Sequence, residues 1–106
     1  MGGPGKGSGK DMAKGYIIAR VSVSDKEAYK VYATAATEAI RKYGGRPLAR
    51  GGRCEILEGE GRMRNVILEF DSYDQARTYY YSPEYQAALK HRLGISVGDF
   101  VLVEGS

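Results

Sequence analysis

Three groups of side chains in this sequence have types and spacings suited to chemistry. The first is a set of charges. Arg20 falls in the segment 15–23 and Glu69 in the segment 62–70, both read as strands. By alternation the two side chains point the same way, off the aliphatic face. Arg50 lies in the extended stretch between them and joins them if the bend at Gly51-Gly52 sets a suitable register. An Arg–Glu–Arg cluster leaves guanidinium donors for bidentate binding of a carboxylate. Its other form is a fully paired network that fixes how two subunits meet. A solvent-connected cavity beside Arg20 or Arg50 separates the two.

The second group is aromatic, with nine tyrosines and no tryptophan. Tyr29, Tyr32 and Tyr43 fall on a first helix, and Tyr79, Tyr80, Tyr81 and Tyr85 on a second. Their rings serve core packing with the phenol tips at water or backbone, or they line a site whose ligand the hydroxyls orient.

The third group is single residues. His91 is the one side chain with an unperturbed pKa near neutrality. Flanked by Lys90 and Arg92, it reads as part of an exposed basic helix end, and nothing else in the sequence supports a haem ligand. Cys54, beside Glu55 with no histidine nearby, reads as a reduced structural thiol. One cysteine and one histidine exclude an internal disulfide framework and a zinc site rich in either residue. Neither a dinucleotide fingerprint nor a phosphate loop is present. No metal or cofactor is expected.

The elements that must position these residues follow from periodicity. Ile17, Ala19, Val21 and Val23 form the aliphatic side of a first strand, with Tyr16, Ile18, Arg20 and Ser22 opposite. Ser24 to Glu27 has capping-box form and opens a helix whose stripe is Ala28, Val31, Tyr32, Ala35, Ala39, Ile40 and Tyr43. Gly44-Gly45 ends it. Arg46 to Glu58 and Arg62 to Phe70 read as a hairpin closed by Gly59-Glu60-Gly61. Ser72 to Gln75 is a second capping box. Ser82-Pro83 restarts that helix, which carries Tyr85, Ala88, Leu89 and Leu93 inward and ends at Gly94. Phe100 to Val103 is a last strand, apolar on both sides.

The 106 residues hold one domain. Residues 1–11, with five glycines, read as an expression tag or linker, and 12–106 as the single domain with Met12 as native start. No apolar run reaches the roughly 18 residues of a membrane helix, so a cytoplasmic protein without membrane association is expected. The net charge of +3 falls to +2 without Lys6, Lys10 and Asp11, too little for a nucleic-acid binder. Between Arg41 and Arg64, seven cations face three acids, giving +4 where the rest of the domain carries −2.

The order strand-helix-strand, twice, defines an α+β, ferredoxin-like βαββαβ plan: an antiparallel four-stranded sheet with both helices on one face. The uncovered face and the doubly apolar last strand are a state that soluble proteins avoid. A two-fold homodimer with the two sheets facing each other hides both.

Ala13-Lys14-Gly15-Tyr16-Ile17-Ile18-Ala19-Arg20-Val21, Tyr43-Gly44-Gly45-Arg46, Arg50-Gly51-Gly52, Leu57-Glu58-Gly59, Leu68-Glu69-Phe70, Tyr80-Tyr81-Ser82-Pro83-Glu84-Tyr85-Gln86 and Val103-Glu104-Gly105 together resemble the bacterial domain-of-unknown-function family 1330. The resemblance spans Met12 to Gly105. It implies a dimeric α/β-barrel of two ferredoxin-like subunits, within a superfamily that includes cofactor-free monooxygenases, muconolactone-type isomerases and relatives of chlorite dismutase. It assigns no activity and no catalytic residue. Pockets in that superfamily lie between helices and sheet, which implies a cavity lined by Tyr32 and Tyr80 for a flat apolar substrate.

Two functions from different classes follow. One is a small-molecule binding protein or cofactor-independent enzyme for a small organic acid or aromatic compound, with Arg20, Tyr32, Arg50, Glu69 and Tyr80 as candidate ligand-binding residues. The other is a non-catalytic dimeric module whose role is association. Arg20, placed where an aliphatic residue would pack better, favours the first.

Overall fold

The computed structural model describes residues 13–106. The tag reading of residues 1–11 and the start at Met12 lie outside the described residues. Strand β1 (Gly15–Val23) runs down the middle of the sheet, antiparallel to β3 (Arg64–Phe70) on one side and β4 (Ser96–Glu104) on the other. The short β2 (Arg46–Arg50) adds to the far edge of β3, giving the order β2-β3-β1-β4. Helices α1 (Lys26–Lys42), α2 (Tyr73–Tyr80) and α3 (Pro83–Leu89) complete the α+β fold.

Alternation along β1 sorts the sheet into two faces. Ile17, Ala19 and Val21 are buried under the helices with Leu68 and Phe70 of β3, whereas Ile18 and Arg20 point outward. Gly15 enters this sheet where only glycine fits, because a Cβ there would fall 2.3 Å from the Ser72 carbonyl oxygen. Phe70, wholly buried, stacks on Tyr79 at 5.1 Å between ring centres. Tyr79 in turn meets Tyr85 at 5.1 Å, so α2 and α3 share one aromatic core.

Several local expectations shift by a residue. The α1 cap is Asp25, whose Oδ1 accepts from the Ala28 N–H at 3.0 Å. Ser24 instead donates to the Ile95 carbonyl at 2.9 Å, tying the helix start to the turn before β4. The buried stripe of α1 is Tyr29, Tyr32, Ala36, Ala39 and Ile40. Val31, expected inside, is 53% exposed. The two stripes differ by a small rotation of the helix. Burying the Tyr29 ring, which tilts onto Tyr32 at 5.1 Å, removes more apolar surface than burying a valine.

The second capping box is half formed. Ser72 Oγ accepts from the Gln75 N–H, but the Gln75 amide crosses to the Tyr43 carbonyl at 2.8 Å and locks the end of α1 to α2. At α3, Ser82 caps and Pro83 occupies the first turn as expected. That helix ends at Leu89, earlier than the expected Gly94, and Leu93 is exposed rather than in the core. Two successive i→i−3 bonds, His91 to Ala88 and Arg92 to Leu89, tighten the chain there, and Ile95 packs on the core in its place. β4 is longer than read, beginning at Ser96.

The expected hairpin with a three-residue turn is not formed. β2 stops at Arg50 because Gly51 adopts φ 72°, which turns the chain out of the sheet after its N–H reaches the Asn65 carbonyl. Residues 51–63 then run without regular structure, exposing Ile56, Leu57 and Met63. β2 also carries a bulge. Arg46 pairs with Glu69 and Pro47 with Leu68, but Ala49 pairs with Ile67 and Arg50 with Val66, so Leu48 is inserted between the two registers.

Candidate functional site: a cavity between helix and sheet

Helix α1 has its nearest backbone neighbours on α3, and a cavity of about 370 Å³ lies between α1 and the sheet. Its size follows from small residues on facing walls. Ala19 stands on the sheet side, opposite Ala33, Ala36 and Thr37 of α1. Tyr29 and Tyr32 of the same helix also line it, together with the buried Ile17, Leu68 and Tyr79 and the partly buried Phe100. The volume lies at the small end of the roughly 300–1,000 Å³ range of ligand sites.

Polar groups are few. The Tyr32 and Tyr85 hydroxyls bond each other at 2.9 Å, and burial pushes the pKa of Tyr32, Tyr79 and Tyr85 upward. These phenols stay protonated and act as hydrogen-bond donors rather than as bases. Arg92 lies beside them, its guanidinium over the Phe100 ring at 4.3 Å and the Tyr32 ring at 5.5 Å. At 7% exposure it is part of the core and not, as its neighbours Lys90 and His91 are, an exposed helix end. Cation–π contact and the phenol oxygens around it offset part of the cost of burying that charge.

Arg92 and Tyr85 do not line the cavity; the arginines that do are Arg50 and Arg64, at its more exposed side. Arg50 donates to Thr37 Oγ1 at 3.3 Å. Arg64 rests over the Tyr29 ring at 5.2 Å. Arg64 was missed in the sequence reading. The signal that finds it is parity, since 64 shares a face with Val66, Leu68 and Phe70.

The other charges named from the sequence separate. Arg20 and Glu69 do share the outer face, but Arg20 sits opposite Asn65 and Glu69 opposite Tyr16, at different ends of β1. Glu69 accepts from Arg46 Nε at 3.0 Å and from the Tyr16 hydroxyl at 3.0 Å, and Arg46 also reaches Asp71 at 3.1 Å. The Arg46 and Tyr16 hydrogen bonds hold the Glu69 carboxyl below its usual range. Arg20 lies 3.7 Å from Asp99, which also accepts from Arg62 Nε at 3.0 Å. Arg50 is carried by the β2 bulge to the opposite, helix-covered face. No Arg20–Glu69–Arg50 cluster forms.

Of the two tyrosines, Tyr32 lines the cavity and Tyr80 does not. Tyr80 packs on Tyr85 at 5.0 Å and borders a separate depression with Tyr81, Phe100 and Val101. His91 is exposed. The Cys54 thiol donates to the Met63 carbonyl at 3.3 Å, in the irregular segment. Among the described residues no three His, Cys, Asp or Glu side chains converge on a metal position, and no helix is long and apolar enough to cross a membrane.

A four-stranded antiparallel sheet in the order β2-β3-β1-β4, with a cavity under its long helix, defines a ferredoxin-like α+β protein. The family model described as "Domain of unknown function (DUF1330)" matches residues 14–106, and the chain belongs to that family. Among curated proteins, none matches the sequence. Among solved structures, a protein of unknown function from Rhodopseudomonas palustris is 22% identical over 88% of this chain and 81% of its own, with a TM-score of 0.68. A dimeric ferredoxin-like protein of unknown function from Thermobifida fusca is 18% identical over 89% of this chain and 91% of its own, TM-score 0.56. SnoaB, a cofactor-independent oxygenase from Streptomyces nogalater, is 16% identical over 85% of this chain and 90% of its own, TM-score 0.57. At these identities the likeness is one of fold.

Proposed function

We propose that the protein is a homodimer in which each subunit binds a small organic acid or aromatic compound in the cavity between α1 and the sheet. The observation that carries the reading is the cavity itself: apolar walls, a few phenol and guanidinium donors, and a volume suited to one small ring system. SnoaB supports it as a protein of this fold that works as an oxygenase without a cofactor. Dimerisation is supported by the outer sheet face, where Ile18, Val97, Val101 and Val103 are exposed side by side, and by the dimeric neighbour of the same fold.

Thermal-shift screening of small carboxylates and quinones tests the reading. A ligand at a hundred times its Kd stabilises by about 2.7 kcal/mol through mass action. Ala36→Phe, which puts a ring into the cavity from the α1 wall, should abolish the shift. A panel that moves the melting temperature of neither protein rejects the ligand site. The reading that then remains is the association module, which the apolar outer face favours.

A further inference from the structure

Arginines on the two sides of the sheet differ in their partners. On the outer face they are paired: Arg46 bonds Glu69 and Asp71, while Arg62 bonds Asp99 and Ser22. At the cavity they are not. Among the described residues no carboxylate lies within 4 Å of Arg50 or Arg64. The Arg64 Nε atom is buried with no hydrogen-bond partner. Glu38, the one acid among the lining residues, is held by Arg41 at 3.1 Å. Arg50 is exposed, but Arg64 is partly buried, and a partly buried guanidinium without an anion is costly because lost hydration is not replaced.

The local backbone keeps Arg64 where it is. Gly51 sits at φ 72°, and a Cβ on it would fall 2.3 Å from Arg64 Nη1, so the glycine leaves that place to the guanidinium. The Tyr29 ring supports it with a cation–π contact. Thr37, whose hydroxyl proton goes to the Ala33 carbonyl at 2.8 Å, presents its oxygen lone pairs to Arg50. Two guanidinium groups are thus held at the more exposed side of a cavity whose remaining walls are almost wholly hydrocarbon.

Resting on the cavity being a ligand site, we infer that Arg64 and Arg50 form a carboxylate clamp, and that the ligand is a flat amphipathic monocarboxylate. Its acid group sits on the arginine pair, where a planar fork matches two carboxylate oxygens. Its ring body points inward, between Ala19 and Ala36, towards Tyr79 and Phe100.

The test uses the full chain and two probes of one shape, 1-naphthoate and its neutral amide 1-naphthamide, with Kd measured by calorimetry. The wild type should bind the acid roughly tenfold or more tightly than the amide, the size expected for hydrogen bonds to a charged group. Arg64→Met should erase that preference while amide binding persists, which also shows that the variant folds. Arg64→Lys, which keeps charge without the fork, should retain a smaller preference. Arg50→Met should reduce it, and Arg77→Met, on the surface of α2, should leave both affinities unaltered. Equal binding of acid and amide by the wild type, or a preference that survives both Met substitutions, overturns the clamp while the cavity reading stands. Failure of both probes to bind the wild type overturns clamp and cavity together.

Discussion

The two faces of the sheet are built from alternate residues of the same strands, yet they treat charge in opposite ways. On the outer face every arginine named above has a carboxylate partner, and the charges alternate with exposed aliphatic side chains such as Ile18 and Val101. On the helix face the cavity arginines have no such partner, and the surroundings are alanine, tyrosine and phenylalanine. Paired charges on an otherwise apolar face suit a surface that must meet another in one register, since ion pairs contribute geometry more than stability. Unpaired charges beside a void suit a site that waits for an anion. On the proposed reading the two faces divide the two functional classes that the sequence left open, association outside and ligand binding inside.

The largest test of this contrast concerns what holds the helix side together. Phe70→Ala removes a fully buried ring that stacks on Tyr79, and should cost about 3–5 kcal/mol in denaturant unfolding. A loss under about 1 kcal/mol would mean that the helix face is not the principal core. Next comes the outer face. Val101→Lys places an unpaired charge on exposed apolar surface opposite Ile18 and should shift the sedimentation mass from two subunits to one. Its circular dichroism should stay that of the wild type. A mass unchanged by the lysine would move the association surface elsewhere.

The smallest effect lies in the helix layer. Glu84 of α3 accepts from Lys42 and from the Tyr43 hydroxyl at 2.7 Å, and these bonds hold its carboxyl down to about 2. A depressed carboxyl gives stability that is present above its ordinary range and is lost as pH falls through about 2. Glu84→Gln should thus lower the melting temperature slightly near neutrality, with the gap closing as the solution is acidified. A gap that widens in acid would contradict the sign.

Much of the architecture was legible because strands declare their faces. The aliphatic series Ile17, Ala19, Val21 is buried as its alternation requires, and Glu69 does share a face with Arg20. What alternation cannot reveal is an inserted residue, and the Leu48 bulge sends Arg50 to the side opposite Arg20. Helix rotation was ambiguous for a related reason. Tyr29 and Ala36 compete with Val31 and Ala35 for the same stripe, and only the aromatic neighbours on α3 decide between them. The cap fell on Asp25 rather than Ser24 because both are good caps and the serine found a distant carbonyl. The resemblance implied Tyr32 beside a space between helix and sheet, whereas Arg50 was expected outside with Arg20 and Glu69, and the void itself is a property of four small side chains meeting across a gap.

The bulge at Leu48 makes the edge strand a toggle. Drawing that one residue into the ladder, so that Leu48 faced Ile67 and Ala49 faced Val66, would set Arg50 opposite Asn65 and carry its side chain across to join Arg46 outside. The helix-covered hollow would lose a cation and the exterior would gain one, although no charged residue had been added or removed. A strand of this kind trades ligand preference against subunit pairing through register alone, with composition held constant.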